Sequence, residues 1–392
     1  MAAETAKQFD ALEASSQTLM ACFARAGFEA VAPAIIQPAG VFLDVIGETL
    51  RARTYVFTDP DGDELCMRPD LTVPSCRLHL ERHPAADRPA KYCYNGPAFR
   101  FQPLGADRSH TREFRQTGIE AFGAADRERA EAEIVGAIVR ALQAAGLSEF
   151  TLRFGDLGLL RALLTAADMP SRWRQRLMHH FWHPDAFRAE LNRLTTQPGS
   201  TSANLPKKLR DTLDPENPAT AEAIVAAFLE ESGTDIVGVR SVAEIAENLL
   251  ARVADATSDP LSPKTAQLIA SYVAISAPAR SATKRMSDLA TLMGIDISAA
   301  LGAYERRLDL LANAGVDVER AEFAAEFGRA LEYYTGFVFE VITQALGRNS
   351  PVAGGGRYDD LMRAAGSPRD VAAVGAAIHT ERLVAAITGG AV

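Results

Sequence analysis

The chain has 392 residues, of which 47% are apolar and 23% charged, a composition typical of a soluble globular protein with about two or three domains. Its formal net charge of −9 disfavours a protein that binds nucleic acid over a broad basic face, although a local basic patch stays possible. The four cysteines have no C-x-x-C spacing, which disfavours a zinc knuckle and a disulfide scaffold. No apolar run approaches the roughly 20 residues that a membrane-spanning helix needs, and the N-terminus is unlike a signal peptide. We therefore expect a cytoplasmic protein.

The N-terminal part predicts one helix followed by strands. Apolar residues recur at helical spacing from Phe9 to Phe23, and Gly27 is suited to end that helix. Alternating β-branched and aromatic residues, with a turn at Asp61-Gly62, predict strands and a hairpin. The predicted strands are 28–31, 54–57, 65–68, 91–100 and 113–122.

The run Asp70-Leu71-Thr72 follows Pro69 and predicts the start of a helix, with Asp70 as its N-cap. The alternative interpretation makes Asp70 and Thr72 ligand contacts. Local sequence favours the capping role and leaves both open.

The strand 113–122 alternates with period two, which places Gln116 and Glu120 on one face. Burying two such side chains without partners is costly. This face is therefore either solvated or part of a site for a cationic or polar ligand. Asp126 then caps a strongly amphipathic helix.

From 157 to 311 helical patterns dominate, which predicts an inserted, mostly helical domain. Within it His179 and His183 have the i, i+4 spacing that metal ions use on a helix. No nearby carboxylate or cysteine completes a ligand set, so we predict no metal site. Strands return near Ala321, and a strand at 373–378 leads into a last helix.

The stretch 329–359 carries the densest signal for a binding site. Arg329, Tyr333 and Tyr334 precede a buried strand, and the glycines 354–356 follow it. An arginine, phenols and a carboxylate near a glycine floor suit a small zwitterion with a polar side chain. The alternative is a hairpin with a tyrosine-capped core.

Together these motifs resemble the catalytic core of the class II aminoacyl-tRNA synthetases, specifically the histidyl enzyme. The resemblance covers about 1–155 and 315–392 and places its motifs in the family's order. The matching segments are 27–33 (motif 1), Arg100 with 113–120 (motif 2), 68–72 (R-P-E-G-T), 329–336 (R-G-L-D-Y-Y-T-G) and 354–359 (G-G-R-Y-D).

The resemblance implies an α+β fold with an antiparallel sheet flanked by helices. Its implied domains are 1–155 with motifs 1 and 2, a mostly helical insertion at 156–312, and 313–392 with the histidine-motif strands and motif 3. It also implies a histidine pocket in which carboxylates bind the α-ammonium and an imidazole N–H, while the arginines face a carboxylate or an ATP phosphate. The implied pocket residues are Asp70, Thr72, Arg100, Gln116, Glu120, Arg329, Tyr333, Tyr334 and Tyr358.

Several departures from the synthetase pattern point away from tRNA charging. Arg382 matches the motif 3 arginine, but only ten residues follow it, so we expect no anticodon-binding domain. His379 stands where the family has glycine and is expected to crowd ATP, and Leu71 and Ala330 replace two further glycines. The motif 2 loop is longer than the family pattern and does not show which residue would meet a γ-phosphate. The candidates are Arg108, His110 and Arg112.

A histidine-binding synthetase core without an anticodon domain is similar to the regulatory subunits of ATP phosphoribosyltransferase. That resemblance implies a chain in histidine biosynthesis with no catalytic activity and no cofactor, which mediates feedback inhibition by L-histidine. It implies a short-form catalytic subunit as partner in a hetero-octamer and a homodimer through motif 1, with neither tRNA nor membrane as a partner. The alternatives are a histidine-adenylating enzyme or truncated synthetase, and a stand-alone sensor or scaffold.

Overall fold

A computed structural model describes residues 5–43, 48–102, 111–202, 204–233, 241–328 and 333–389. The chain divides into two compact units. The first unit combines Met1–Leu163 with Tyr272–Val392, and the second is Leu164–Ser271.

The described helices and strands are numbered in chain order. The strands are β1 Glu29–Ala30, β2 Ile36–Pro38, β3 Tyr55–Thr58, β4 Glu64–Met67, β5 Ala90–Phe99, β6 Glu113–Phe122, β7 Thr151–Asp156, β8 Ser276–Pro278, β9 Glu322–Ala324, β10 Phe337–Ile342, β11 Ala353–Arg357 and β12 Ala373–His379. The helices are α1 Ala6–Arg25, α2 Ala39–Leu43, α3 Glu48–Arg51, α4 Thr72–Arg82, α5 Arg127–Ala144, α6 Leu157–Ala166, α7 Ser171–His180, α8 Pro184–Thr196, α9 Lys207–Thr212, α10 Ala221–Glu231, α11 Val242–Ala256, α12 Pro263–Val273, α13 Ala279–Met293, α14 Ser298–Asn313, α15 Asp359–Ala364 and α16 Thr380–Thr388. Short 3₁₀ helices cover Pro198–Thr201 and Pro218–Thr220.

A nine-stranded sheet forms the centre of the first unit, in the order β1-β5-β6-β12-β11-β10-β7-β9-β8. The pairs β1–β5 and β7–β9 are parallel and the others are antiparallel. The predicted strands 91–100 and 113–122 are confirmed as β5 and β6, which pair over their whole length. Every residue of β10 is buried, as its apolar composition predicts.

One helix of the first unit, α5, begins where the sequence predicts a cap. The Asp126 side chain accepts a hydrogen bond from the Arg129 N–H, 3.1 Å away, and α5 follows it. In α1 the apolar stripe is shorter than predicted. Leu12, Leu19 and Phe23 are buried, but Phe9 is 47% exposed and lies under the Arg115 guanidinium.

A separate three-stranded sheet has the order β2-β4-β3 and contains the predicted hairpin. One of its faces is apolar and open, with Ile36 54% exposed and Phe57 39% exposed. None of the described helices is both long and apolar enough to cross a membrane.

The second unit is helical and contains a fully buried carboxylate. Asp255 is fully buried and accepts hydrogen bonds at Oδ1 from Arg172 Nε (2.7 Å) and Trp173 Nε1 (2.6 Å). Its Oδ2 accepts from Arg176 Nη2 at 2.5 Å. Arg193 Nη2 lies 3.6 Å from the same oxygen, so arginines pair with both oxygens of this carboxylate.

The predicted insertion, 156–312, is wider than this unit. β8 and all but the last residue of α14 lie within that predicted range but cluster with the first unit, because β8 pairs with β9 and α14 packs on α5. The prediction that His179 and His183 share one helix is wrong. α7 ends at His180, and Pro184 starts α8 with His183 as its N-cap.

Candidate functional site

The inward face of β6 places a fully buried carboxylate against two phenols. Glu120 Oε1 accepts a hydrogen bond from the Tyr94 hydroxyl, 2.9 Å away on β5. Its Oε2 accepts one from Tyr358, which directly follows β11. The Thr72 side chain, at the start of α4, is also hydrogen-bonded to Glu120. The predicted face is therefore buried rather than solvated.

Glycines make the room for this carboxylate. Gly375 on β12 is the register partner of Glu120, and a Cβ at 375 would overlap Glu120 Oε2. A Cβ at Gly118 would lie 2.6 Å from the Tyr94 hydroxyl oxygen. Side chains at either position would push out the carboxylate or its phenol partner.

Burial raises the pKa of Glu120 to about 7. Hydrogen bonds from Tyr358, Thr72 and Tyr94 lower this pKa, and the nearby Asp70 raises it. Near neutral pH the carboxyl is therefore poised between its two protonation states. A bound cation would favour the ionised form.

Asp70 is a second buried carboxylate at the start of α4. The N-cap position itself is Leu71, one residue later than predicted, but Asp70 Oδ1 still accepts from the Val73 N–H at 3.3 Å. Its Oδ2 accepts from the Tyr333 hydroxyl at 3.4 Å. Burial raises the pKa of Asp70, and the positive charge of Arg100 opposes that rise.

The remaining described residues of the predicted pocket join these two carboxylates. Gln116 Oε1 accepts from the Leu71 N–H at 3.1 Å, which ties β6 to the segment before α4. The Tyr333 ring lies 4.9 Å from the Tyr334 ring and 5.9 Å from the Tyr358 ring, measured between centroids.

Arg100 anchors the entrance to α4. Its Nε donates to the Pro69 carbonyl at 2.8 Å, and its guanidinium lies 5.0 Å from the centre of the Phe114 ring. Arg329 lies outside the described residues, as do Arg108 and His110. The structure brings the other eight predicted pocket residues into one connected group.

We call Asp70, Glu120, Tyr94, Tyr333 and Tyr358 the phenol–carboxylate site. Neither of its carboxylates forms an ion pair within 4.0 Å to a lysine or arginine in the part of the chain that the structure describes. A phenol donates a hydrogen bond but does not cancel a negative charge. The site is therefore suited to bind a ligand that carries positive charge and N–H donors.

His379 lies beside this site. The sequence predicts that its imidazole would crowd a bound ATP. Its imidazole stacks on the Phe114 ring, with centroids 4.6 Å apart and an interplanar angle of 13°. Burial lowers the pKa of His379 to about 4, so the ring is neutral at physiological pH. Arg382, the motif 3 arginine, donates from Nη1 to the Pro351 carbonyl at 3.0 Å.

Sequence reasoning missed Tyr94. Tyr94 lies two residues after Tyr92, on the same face of β5, and is the register partner of Gly118. A tyrosine opposite a glycine on the neighbouring strand indicates a phenol that crosses over the glycine. The sequence alone does not show which residues of two strands are opposite each other, so this pair could not be recognised.

Comparisons with known proteins agree with the fold. The family model described as histidyl-tRNA synthetase matches residues 4–261 and 223–383. The ATP phosphoribosyltransferase regulatory subunit of Agrobacterium fabrum is 34% identical over 354 residues, which cover 90% of this chain and 91% of that protein. The regulatory subunit of Sinorhizobium fredii is 32% identical over 386 residues, covering 97% of this chain and 99% of that protein.

Solved structures show the same fold. A structure described as an ATP phosphoribosyltransferase regulatory subunit/histidyl-tRNA synthetase from Bacillus halodurans matches with a TM-score of 0.68 and 19% identity, covering 99% of this chain and 82% of that chain. The histidyl-tRNA synthetase of Nostoc sp. PCC 7120 matches with a TM-score of 0.61 and 16% identity, covering 99% and 76%. The predicted class II synthetase-like α+β fold is confirmed.

Proposed function

Because this chain belongs to the ATP phosphoribosyltransferase regulatory subunit family, which has the histidyl-tRNA synthetase fold, we propose that it binds L-histidine and conveys feedback inhibition to a catalytic partner. The family's name places it in histidine biosynthesis and implies a separate catalytic subunit. We further propose that the chain has no catalytic activity of its own.

One observation carries the histidine proposal. Two buried carboxylates, Glu120 and Asp70, are held by phenols and lack an arginine or lysine ion pair among the described residues. Free histidine offers an α-ammonium and an imidazole N–H, which are the two kinds of donor that such carboxylates need. We propose that Arg100, whose charge acts on Asp70, attracts the ligand carboxylate.

The proposed partners follow from the family. We propose that a short-form catalytic subunit assembles with this chain in a hetero-octamer, that motif 1 at 27–33 forms a homodimer contact, and that tRNA is not a ligand. Histidine would regulate the partner only if it binds the active and inhibited assemblies with different affinities.

Two measurements test this function. Isothermal calorimetry should show saturable histidine binding, and the melting temperature should rise with histidine concentration. Co-expression with a short-form catalytic subunit should give one complex, whose size is measured with and without histidine. A chain whose melting temperature histidine does not change, and which elutes apart from the catalytic subunit, would contradict the proposal.

A histidine-adenylating enzyme is the second candidate. Arg100 and Arg382, two of the arginines that adenylation would use, are present in the described chain. The His379 stack on Phe114 occupies space beside them and disfavours this candidate. Histidine-dependent exchange of pyrophosphate into ATP by the purified chain would support adenylation, and its absence would support a purely regulatory chain.

A further inference from the structure

A buried ion-pair bridge lies behind the phenol–carboxylate site. Glu131 on α5 pairs through Oε1 with Arg357 Nε and through Oε2 with Arg307 Nε. Arg307, on α14, also pairs with Asp156 Oδ2 at 2.7 Å. All four side chains are buried, so this bridge joins α5, α14, β7 and the end of β11 through two carboxylates and two arginines. None of the four belongs to the phenol–carboxylate site.

Arg357 directly precedes Tyr358 in the chain, so a shift of the Arg357 backbone would also move the Tyr358 phenol. The Arg357 carbonyl accepts from the Thr335 N–H at 2.8 Å, and Thr335 Oγ1 accepts from the Asp359 N–H at 3.1 Å. Arg357 Nη1 also pairs with Asp359 Oδ1 at 2.9 Å. The segments that carry Tyr333 and Tyr358 are thus fastened to each other around one arginine.

From this geometry we infer that Glu131 is a positioning residue for the phenol–carboxylate site: it holds Arg357, and thereby keeps Tyr358 against Glu120, without touching the ligand. The inference rests on the proposed histidine function. Without the Glu131 charge, Arg357 keeps Asp359 as its one carboxylate partner among the described residues, and its buried Nε–H loses its charged acceptor. The backbone on both sides of Tyr358 then shifts, and the hydrogen bond to Glu120 is lost.

The test compares Glu131→Gln with a matched control, Asp255→Asn. Both wild-type residues are buried carboxylates whose two oxygens pair with arginines, but Asp255 belongs to the second unit. Calorimetry on the full chain should show histidine affinity reduced at least about tenfold by Glu131→Gln and changed less than about twofold by Asp255→Asn. Glu131→Asp keeps the charge on a shorter side chain and gives the same comparison if Glu131→Gln does not fold.

Two further readouts distinguish positioning from general stability. The Tyr358 hydrogen bond lowers the pKa of Glu120, so the pH at which histidine affinity falls should move upward in Glu131→Gln and stay in place in Asp255→Asn. Hydrogen–deuterium exchange without histidine should accelerate in peptides covering 353–362 only for the Glu131 variant.

Each outcome decides one question. A folded Glu131 variant that binds histidine within about twofold of wild type overturns the inference and leaves the proposed function standing. If the wild-type chain does not bind histidine, the proposed function is wrong. Unchanged exchange at 353–362 in the Glu131 variant then overturns the inference as well, whereas accelerated exchange supports the positioning of Tyr358 by Glu131.

Discussion

The molecule contains two kinds of buried carboxylate, and their partners differ. Glu131 in the first unit pairs with two arginines, and Asp255 in the second pairs with three. Glu120 and Asp70 instead accept hydrogen bonds from phenols and backbone amides. The arginine-paired acids have their charge cancelled within the fold. The phenol-paired acids have hydrogen-bond donors but no lysine or arginine ion pair among the described residues, so their charge is not cancelled when they are ionised.

This difference separates structure from function. Removing one partner of a buried ion pair leaves the other charge uncompensated, so an arginine-paired acid is needed for stability. A buried acid without an ion pair is a cost to the free protein, as the raised pKa of Glu120 shows. A cationic ligand would recover that cost on binding. The following experiments test whether this division holds.

The largest expected effect is on an arginine-paired acid. Asp255→Ala should lower the free energy of unfolding by about 3–5 kcal/mol, because it leaves buried arginines without a carboxylate. Urea titration followed by circular dichroism measures the loss. Asp185→Ala is the control in the same unit, since its side chain is 99% exposed and should leave the unfolding free energy close to wild type. Equal losses of unfolding free energy in the two variants would contradict the view that arginine-paired acids are needed for stability.

The corresponding change at a phenol-paired acid should affect binding instead. Glu120→Ala should weaken histidine binding by about 2–4 kcal/mol, because a buried cationic or N–H group of the ligand loses its acceptor. Calorimetry measures this change. The exposed Glu133, which pairs with Lys91, provides the control Glu133→Ala. An unchanged affinity for Glu120→Ala would count against the site.

A smaller effect should appear with pH. The groups that face Glu120 are Tyr94, Tyr358, Thr72, Asp70 and Cys76. Since the pKa of Glu120 is raised to about 7, lowering the pH protonates it and removes the charge that a cationic ligand needs. Histidine affinity should therefore fall about tenfold between pH 8 and pH 6, or about 1.4 kcal/mol. Glu120→Gln should remove this part of the dependence, and an identical pH profile in that variant would assign it to the histidine imidazole.

The smallest expected effect is on tRNA charging. His379→Gly removes the ring stacked on Phe114 but alters neither kind of buried carboxylate. We expect no histidine transfer to tRNA by this variant, measured by aminoacylation with labelled histidine. Detectable charging would mean that the imidazole alone separates this chain from a synthetase.

Much of the fold could be predicted because its signals are local. β6 follows from strict alternation, which also places Gln116 and Glu120 on the same face. β8 has only three residues, too few for any periodicity, and it was missed. The single-helix prediction for His179 and His183 ignored Pro184, whose missing N–H suits the first position of a new helix.

The motifs predict most residues of the phenol–carboxylate site. They do not predict the buried ion pairs of Glu131 that lie behind it. Glu131 lies on an amphipathic helix, where an acid in the sequence usually indicates a solvated face. Its partners Arg307 and Arg357 are 176 and 226 residues away along the chain. No local sequence pattern indicates that such residues meet in the interior. Only the packing of α5 and α14 on the sheet brings them together.

The glycine opposite Glu120 restricts how this site can evolve. Any side chain at Gly375 collides with the carboxylate, while a shorter residue at 120 alone leaves an unfilled space beside two hydroxyls. Neither single replacement leads to a well-packed alternative, so the two positions are epistatic. A library that seeks a new ligand preference should therefore vary 120 and 375 jointly, since one-at-a-time scanning would discard the productive combinations.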